Sequence, residues 1–204
     1  MKGKFITFEG SEGCGKSTQS RLLFEYLKAR GKRVIYLREP GATKISEKIR
    51  DILLDAKNQG IVPETEMLLY MAARSQIVVE VIKPALKKGI NVICDRFLDS
   101  TLAYQGYGLG MDIDLIKKVG KFTTGGITPD LTLFLDLAVK RGLKHREACL
   151  DRIEMRSVKY HLRVRNGYLK LAKQEPKRIK VVKVEKDKAE TQLKIRDLVE
   201  KYVF

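Results

Sequence analysis

The 204-residue sequence predicts an α/β fold, a parallel sheet with helices on both faces. Short β-branched and aromatic runs alternate with longer segments of helical spacing, which is the pattern of a covered parallel sheet. Gly10 to Ser17 fit G-x-x-x-x-G-K-[ST] between an apolar run (Phe5, Ile6, Phe8) and a helical one, the strand–loop–helix setting of a phosphate-binding P-loop. Charged residues gather just after the runs read as strands, where such sheets bind ligands: Arg38 and Glu39, then Asp95 and Arg96.

Taken in order, the loop comes first. Glycines let its backbone curl so that several N–H groups point inward, and the helix beginning near Gly15 adds its positive end. Gly10, Ser11, Glu12, Gly13, Cys14, Gly15, Lys16, Ser17 and Thr18 are therefore the expected ATP-binding stretch. Lys16 supplies a point charge to the β- and γ-phosphates, and Ser17 a hydroxyl ligand for Mg²⁺. Leu22, Leu23, Tyr26 and Leu27 continue the helix, and Gly31 closes it. Val34 to Leu37 read as the second strand, ending in the turn Arg38-Glu39-Pro40-Gly41, and Ser46 to Leu54 as a helix.

Pro63 opens a long helix in the position proline prefers, with Glu64 and Glu66 in its first turn; the pattern runs to about Lys88. Asn91 to Asp95 form the third strand. A polar segment with many small residues, 100–110, follows, then a helix over Ile113 to Phe122 and a fourth strand over Leu131 to Leu135. Val158 to Ala172 read as helical and Ile179 to Val184 as a fifth strand. Asp187 begins the last helix, with Glu190 as capping-box partner.

Composition narrows the class. Apolar content of 44% and charged content of 32% belong to a soluble globular chain of one domain, and no apolar run approaches a membrane span. With no signal-like segment at the start, a cytoplasmic location is the expectation. Three scattered cysteines, Cys14, Cys94 and Cys149, form neither a disulfide framework nor a zinc pattern. Cys94 reads as a core filler, and the helix dipole is expected to depress the pKa of Cys14. His145 and His161 lack metal-ligand spacing and read as surface or helix residues. A net charge of +16 calls for an acidic partner. Nine Lys/Arg against three acids fall between Lys140 and Arg165, but no basic block is interleaved with aromatics. Small phosphorylated ligands fit that charge at least as well as nucleic acid does.

Three further features bear on chemistry. Asp95 occupies the place of a strand-end acid that holds Mg²⁺, and Arg96 beside it is a planar fork suited to phosphate. Tyr70 and Arg74 share a helix face; they are either a ring and guanidinium that grip a base, or a core tyrosine beside a surface arginine. The basic segment 141–156 has the character of an arginine-bearing lid that delivers charge and excludes water, or of an exposed basic helix.

Phe8-Glu9-Gly10…Gly15-Lys16-Ser17-Thr18-Gln19, Arg38-Glu39-Pro40-Gly41, Leu68-Leu69-Tyr70-Met71-Ala72-Ala73-Arg74 and Asp95-Arg96-Phe97 resemble the thymidylate kinase family in order and spacing. So do Asp99 to Gly106, Pro129-Asp130-Leu131-Thr132, Asp151-Arg152-Ile153-Glu154 and Arg163 to Leu169, so that the likeness covers nearly the whole chain. The resemblance implies a homodimeric kinase that converts ATP and dTMP to ADP and dTDP with Mg²⁺, in dTTP synthesis. It implies that Glu12 approaches the deoxyribose hydroxyl and that Arg96 clamps the acceptor phosphate with Arg38 close by. Pro40 and Tyr104 join the substrate set. Tyr70, where the family usually has Phe, would stack on thymine; Arg74 would bond the base, and Thr101 and Gln105 would close the pocket.

No arginine stands between Gly10 and Gly15, which resembles the bacterial subtype whose catalytic arginine comes from the lid. Arg146 is the expected residue and Arg152 the second candidate. The chain departs from the family at Ala42 and Ser46 (usually glycines), at Leu109, in a lid about two residues short, at Arg156 (usually an acid) and at Val182-Lys183-Val184. Two alternatives stay open at this point. One is a kinase for another pyrimidine monophosphate or a catalytically weakened relative; the other is a nucleotide-dependent switch protein that uses its basic surface on nucleic acid.

Overall fold

A computed structural model describes residues 2–144 and 151–204. Five parallel strands, β1 (Phe5–Glu9), β2 (Val34–Arg38), β3 (Asn91–Asp95), β4 (Leu131–Asp136) and β5 (Ile179–Lys183), form one sheet in the order β2-β3-β1-β4-β5. β1 is central, pairing Phe5 with Val92 on one side and Ile6 with Leu131 on the other. Every one of its residues is buried, and this explains why its apolar residues Phe5, Ile6 and Phe8 point to both faces rather than alternating with exposed polar ones.

The alternation of side chains along the strands sorts two layers. Ile6, Phe8, Ile93, Leu133 and Val182 face α1 (Lys16–Ala29) and the last helix, whose Leu23, Leu27, Ile195 and Val199 complete that core. Phe5, Val92, Cys94 and Phe134 face the other way, against helices drawn from residues 63–174. α2 (Lys44–Leu54) is capped by Thr43, whose Oγ1 accepts from Ser46 N at 3.1 Å. The buried Ser46, placed where the resemblance has a glycine, donates through Oγ to Ala73 O at 2.8 Å and so ties α2 to the next helix.

The long helix expected from Pro63 to about Lys88 is a path of three pieces: α3 (Pro63–Ile77), a π turn (Val78–Ile82) and α4 (Lys83–Lys87). Pro84 accounts for the change, because it lacks an N–H and its ring crowds the carbonyl four residues back; a widened turn relieves the crowding. The segment 100–110, read from sequence as polar and rich in small residues, is helical over most of its length and mostly buried: α5 (Leu98–Thr101) runs into a second π stretch (Leu102–Gly108). Polar residues survive there because tertiary partners satisfy them, as described below.

α6 (Ile113–Thr124) starts under an Asp112 cap and ends at Gly125 with φ 59°. α7 (Val139–Leu143) follows β4. α8 (Val158–Gln174), capped by Ser157, packs on the π stretch so closely that a Cβ on Gly167 would lie 2.7 Å from the Tyr107 side chain. In α9 (Lys188–Tyr202) the Asp187 cap accepts from Ala189 N at 2.8 Å, one position short of the capping-box contact expected at Glu190. His161 lies on α8 as expected but is buried against the Tyr160 ring rather than at the surface. Cys94 is the core filler expected. His145, Arg146 and Cys149 lie outside the described residues.

Candidate active site

At the C-terminal ends of the strands the chain surrounds a cleft of about 720 Å³. One wall is the loop between β1 and α1. Gly10, Gly13 and Gly15 have φ of 153°, 67° and 86°, conformations that favour glycine, and they turn the loop toward the N-terminus of α1. Space is a second constraint at Gly13: a Cβ there would stand 2.0 Å from Gly142 O, and one on Gly142 would stand 2.3 Å from Glu12 O. The loop and the end of α7 thus meet backbone to backbone.

Lys16 Nζ donates to Ser11 O at 2.9 Å and lies 3.7 Å from Cys14 Sγ. Burial raises the Cys14 pKa, against the pull of Lys16 and Arg96. The sequence expectation was a depressed value; it took the helix dipole into account and not the complete enclosure of the sulfur. Ser17 Oγ donates to Asp95 Oδ2 at 2.6 Å, across 78 residues of sequence. A hydroxyl and a carboxylate converging beside a phosphate loop form an all-oxygen pair of the kind Mg²⁺ takes, with waters and phosphates completing its shell. Among the described residues no group of three or more His, Cys, Asp or Glu could hold a metal by itself, so a cation here would rely on such shared ligands.

Against the loop stands Arg96, with a left-handed φ of 74° that a non-glycine residue adopts only where its surroundings enforce it. Its N–H donates to Phe8 O at 2.9 Å, Nη1 to Gly10 O and Ser100 Oγ at 3.2 Å each, and Nη2 to Glu12 Oε1 at 2.8 Å. The guanidinium also lies 4.8 Å from the centre of the Tyr104 ring, whose hydroxyl donates to the same Glu12 oxygen at 2.6 Å. Burial alone would raise the Glu12 pKa; Arg96 and Lys16 outweigh it and bring the carboxyl to about 2. Behind this wall, Glu9 accepts from Phe97 N, Ser100 Oγ and Tyr168 OH at 2.6–2.8 Å. Burial first, and Asp99 second, push its pKa up to about 7.

Far from the phosphate loop the charges are hidden. Arg74 is 2% exposed. Its Nε donates to Glu39 Oε2 at 2.8 Å, Nη1 to Thr101 Oγ1 at 3.0 Å and Nη2 to Phe97 O at 3.0 Å. Arg152, 3% exposed, donates from Nε to Leu53 O at 2.8 Å, and its Nη2 lies 2.6 Å from Glu66 Oε2. Neither guanidinium lines the cleft, whose surface includes Tyr70, Thr101, Tyr104 and Gln105 and also Arg50, Asp151 and Glu154.

A sequence model described as Thymidylate kinase matches residues 8–195. The chain belongs to the thymidylate kinase family. It is 47% identical over 204 residues, the whole of both chains, to a protein named thymidylate kinase from Thermoanaerobacter sp. (strain X514). It is 53% identical over 180 residues to the one named so from Kosmotoga olearia, covering 87% of this chain and 86% of that one. The crystal structure of thymidylate kinase from Ehrlichia chaffeensis superposes with a TM-score of 0.82 at 34% identity, over 98% of this chain and 100% of that one. The five-stranded parallel sheet with its P-loop is thus the fold of the thymidylate kinase family, as the sequence predicts.

Of the residues expected at a kinase site of this family, Glu12, Gly13, Gly15, Lys16, Ser17, Thr18, Arg38, Pro40, Tyr70, Asp95, Arg96, Thr101, Tyr104 and Gln105 line one cleft. Gly10, Ser11 and Cys14 belong to the loop without lining it, and Arg74 and Arg152 stand behind the wall. Arg50, which also lines the cleft and donates to Pro40 O at 3.0 Å, escaped the sequence reading. Its signal was available: it falls four residues after Ser46 and three before Leu53, the two buried residues of α2.

Proposed function

We propose that this chain is a thymidylate kinase that transfers the γ-phosphoryl group of ATP to the 5′-phosphate of dTMP, releasing ADP and dTDP. The observation that carries the reading is the position of Arg96: it leaves β3 beside Asp95 and bridges to Gly10 O and Glu12, so that one wall serves both a donor loop and an acceptor clamp. Loop amides and Lys16 bind the donor phosphates; Arg96, with Arg38 at the rim, binds the acceptor phosphate. Positioning of this kind lowers the barrier by removing the entropy of encounter, and fixed charges stabilise the transferring group. Glu12, held acceptor-only by its two donors, faces the sugar, and the Tyr70 ring is placed for stacking on the base. Ser17 and Asp95 would hold Mg²⁺, which supplies charge neutralisation at the β- and γ-oxygens. The lid arginine of the reaction is assigned to Arg146.

Two further parts of the reading follow the family. The first is a homodimer, supported by the exposed Leu68 of α3 and Leu115 and Phe122 of α6; sedimentation of the purified chain tests it. The second is action in the cytoplasm, in keeping with the lack, among the described residues, of a helix long and apolar enough to cross a membrane.

The deciding experiment gives the purified chain ATP–Mg²⁺ with dTMP, dUMP, dCMP and dGMP in turn, and measures DNA binding against salt in parallel. Turnover is expected with dTMP foremost and DNA affinity is expected to be weak. Preferred turnover of another monophosphate, or dTMP binding without turnover, would replace this reading with a relative of altered specificity or lost activity.

A further inference from the structure

Glu66 of α3 is wholly buried, and three side chains converge on it. Gln105 Nε2 donates to Oε1 at 2.8 Å. Arg156 donates from Nη1 to Oε1 at 3.2 Å and from Nη2 to Oε2 at 2.6 Å, and Arg152 Nη2 lies 2.6 Å from Oε2. A carboxylate facing two guanidiniums accepts hydrogen bonds and offers none.

That fact settles which way the Gln105 amide lies. An amide has a donor end and an acceptor end, and Glu66 accepts from the donor end. The carbonyl is left for the cleft that Gln105 lines. Thr101, four residues earlier, is fixed in the opposite sense: its Oγ1 accepts from Arg74 Nη1 at 3.0 Å, and its proton is left to donate. The wall then presents a donor beside an acceptor. A pyrimidine with a 4-oxo group next to N3–H matches that pair, whereas a 4-amino pyrimidine carries the reverse pattern and would leave both buried groups unsatisfied. A site built on hydrogen bonds of this kind discriminates far more sharply than an apolar pocket does.

We propose that Glu66 is a positioning residue for base selectivity: it does not touch the nucleotide, but holds the Gln105 carbonyl outward. Arg156 holds Glu66 in turn. The inference rests on the dTMP reading above and extends it, assigning the choice between oxo and amino pyrimidines to a buried carboxylate.

The test measures kcat and KM for dTMP, dUMP and dCMP at saturating ATP–Mg²⁺ in the full chain and in E66Q, E66D and E66Q/R156Q. Glutamine can turn either end toward Gln105, so E66Q frees the amide to reverse. The double variant also removes Arg156, one of the two guanidiniums that E66Q leaves without their carboxylate; thermal melts identify the folded variant to be read. The ratio of kcat/KM for dTMP over dCMP is expected to fall about tenfold or more. The fall should come mainly through KM for dTMP, with dUMP following dTMP and with E66D retaining the ratio. Equal losses on dTMP and dCMP in a folded variant, or an unchanged ratio, overturn the proposal. A wild-type chain inert toward dTMP would overturn the substrate reading together with it; an active one whose variants keep the ratio overturns this inference alone.

Discussion

The two ends of the cleft use charge in opposite ways. At the phosphate end, Lys16, Arg38 and Arg96 line the cavity, on a loop and at strand ends. At the base end, Arg74 and Arg152 are withdrawn behind the wall, paired with Glu39 and Glu66, and the neutral Tyr70, Thr101 and Gln105 line the cleft, which Arg50, Asp151 and Glu154 line as well. A phosphate rewards exposed positive charge, whereas a base is told apart by the direction of single hydrogen bonds, which a mobile surface charge would blur. On the reading proposed above, the withdrawn charges orient neighbours and those lining the phosphate end act on the ligand directly.

The contrast can be broken most directly at Lys16. Lys16→Ala is expected to lower kcat by about 10²–10³-fold or more, with a melting temperature within a few degrees of wild type; a steady-state assay showing near-normal turnover would remove Lys16 from the chemistry. Arg74→Ala, in contrast, should fail first as a structural change. Leaving Glu39 buried without its partner costs about 3–5 kcal/mol by chemical denaturation, and dTMP selectivity should fall with it. A stability unchanged by R74A would show that the withdrawn charges do not hold the wall.

Glu9 sharpens the comparison through pH. Its carboxyl, raised to about 7 in the folded chain from an ordinary 4.5, binds a proton that the unfolded chain has released at intermediate pH. The folded state therefore holds more protons between about pH 4.5 and 7, and stability falls as pH rises through that window, on the order of 1–3 kcal/mol. Glu9→Gln should flatten this slope in denaturant midpoints taken from pH 5 to 7.5, and an equally steep slope in E9Q would assign it elsewhere. The smallest effect is expected at Ala42, which sits at φ 67° where the family usually has glycine. Ala42→Gly should stabilise by about 0.5–1 kcal/mol, read as a rise in melting temperature; a fall would mean that the methyl group contributes packing that outweighs the strain.

Legibility in the sequence follows the same division. The P-loop, Asp95 and Arg96 could be read because their signals are local: glycines at fixed spacing, an apolar run before, a charged pair after. The sheet was legible for the same reason, since each strand is a short buried run closed by turn residues. Tyr70 and Arg74 were placed correctly on one helix, yet nothing in their spacing reveals that Arg74 is buried against Glu39, 35 residues away. Glu66 read only as an acid suited to a helix N-terminus, while its arginine partners lie 86 and 90 positions later. The stretch 100–110 read only as polar, with its helical path unmarked, because its small and polar residues carry no amphipathic period; Glu66, Glu12 and Arg74 supply partners that local patterning cannot announce.

The contact of Gly13 with Gly142 has a mechanical consequence. With no side chain between them to compress or rearrange, a displacement of the nucleotide loop passes to the root of the basic segment undiminished. A methyl group at either glycine has no room, and would force the nucleotide loop and the start of the basic segment apart.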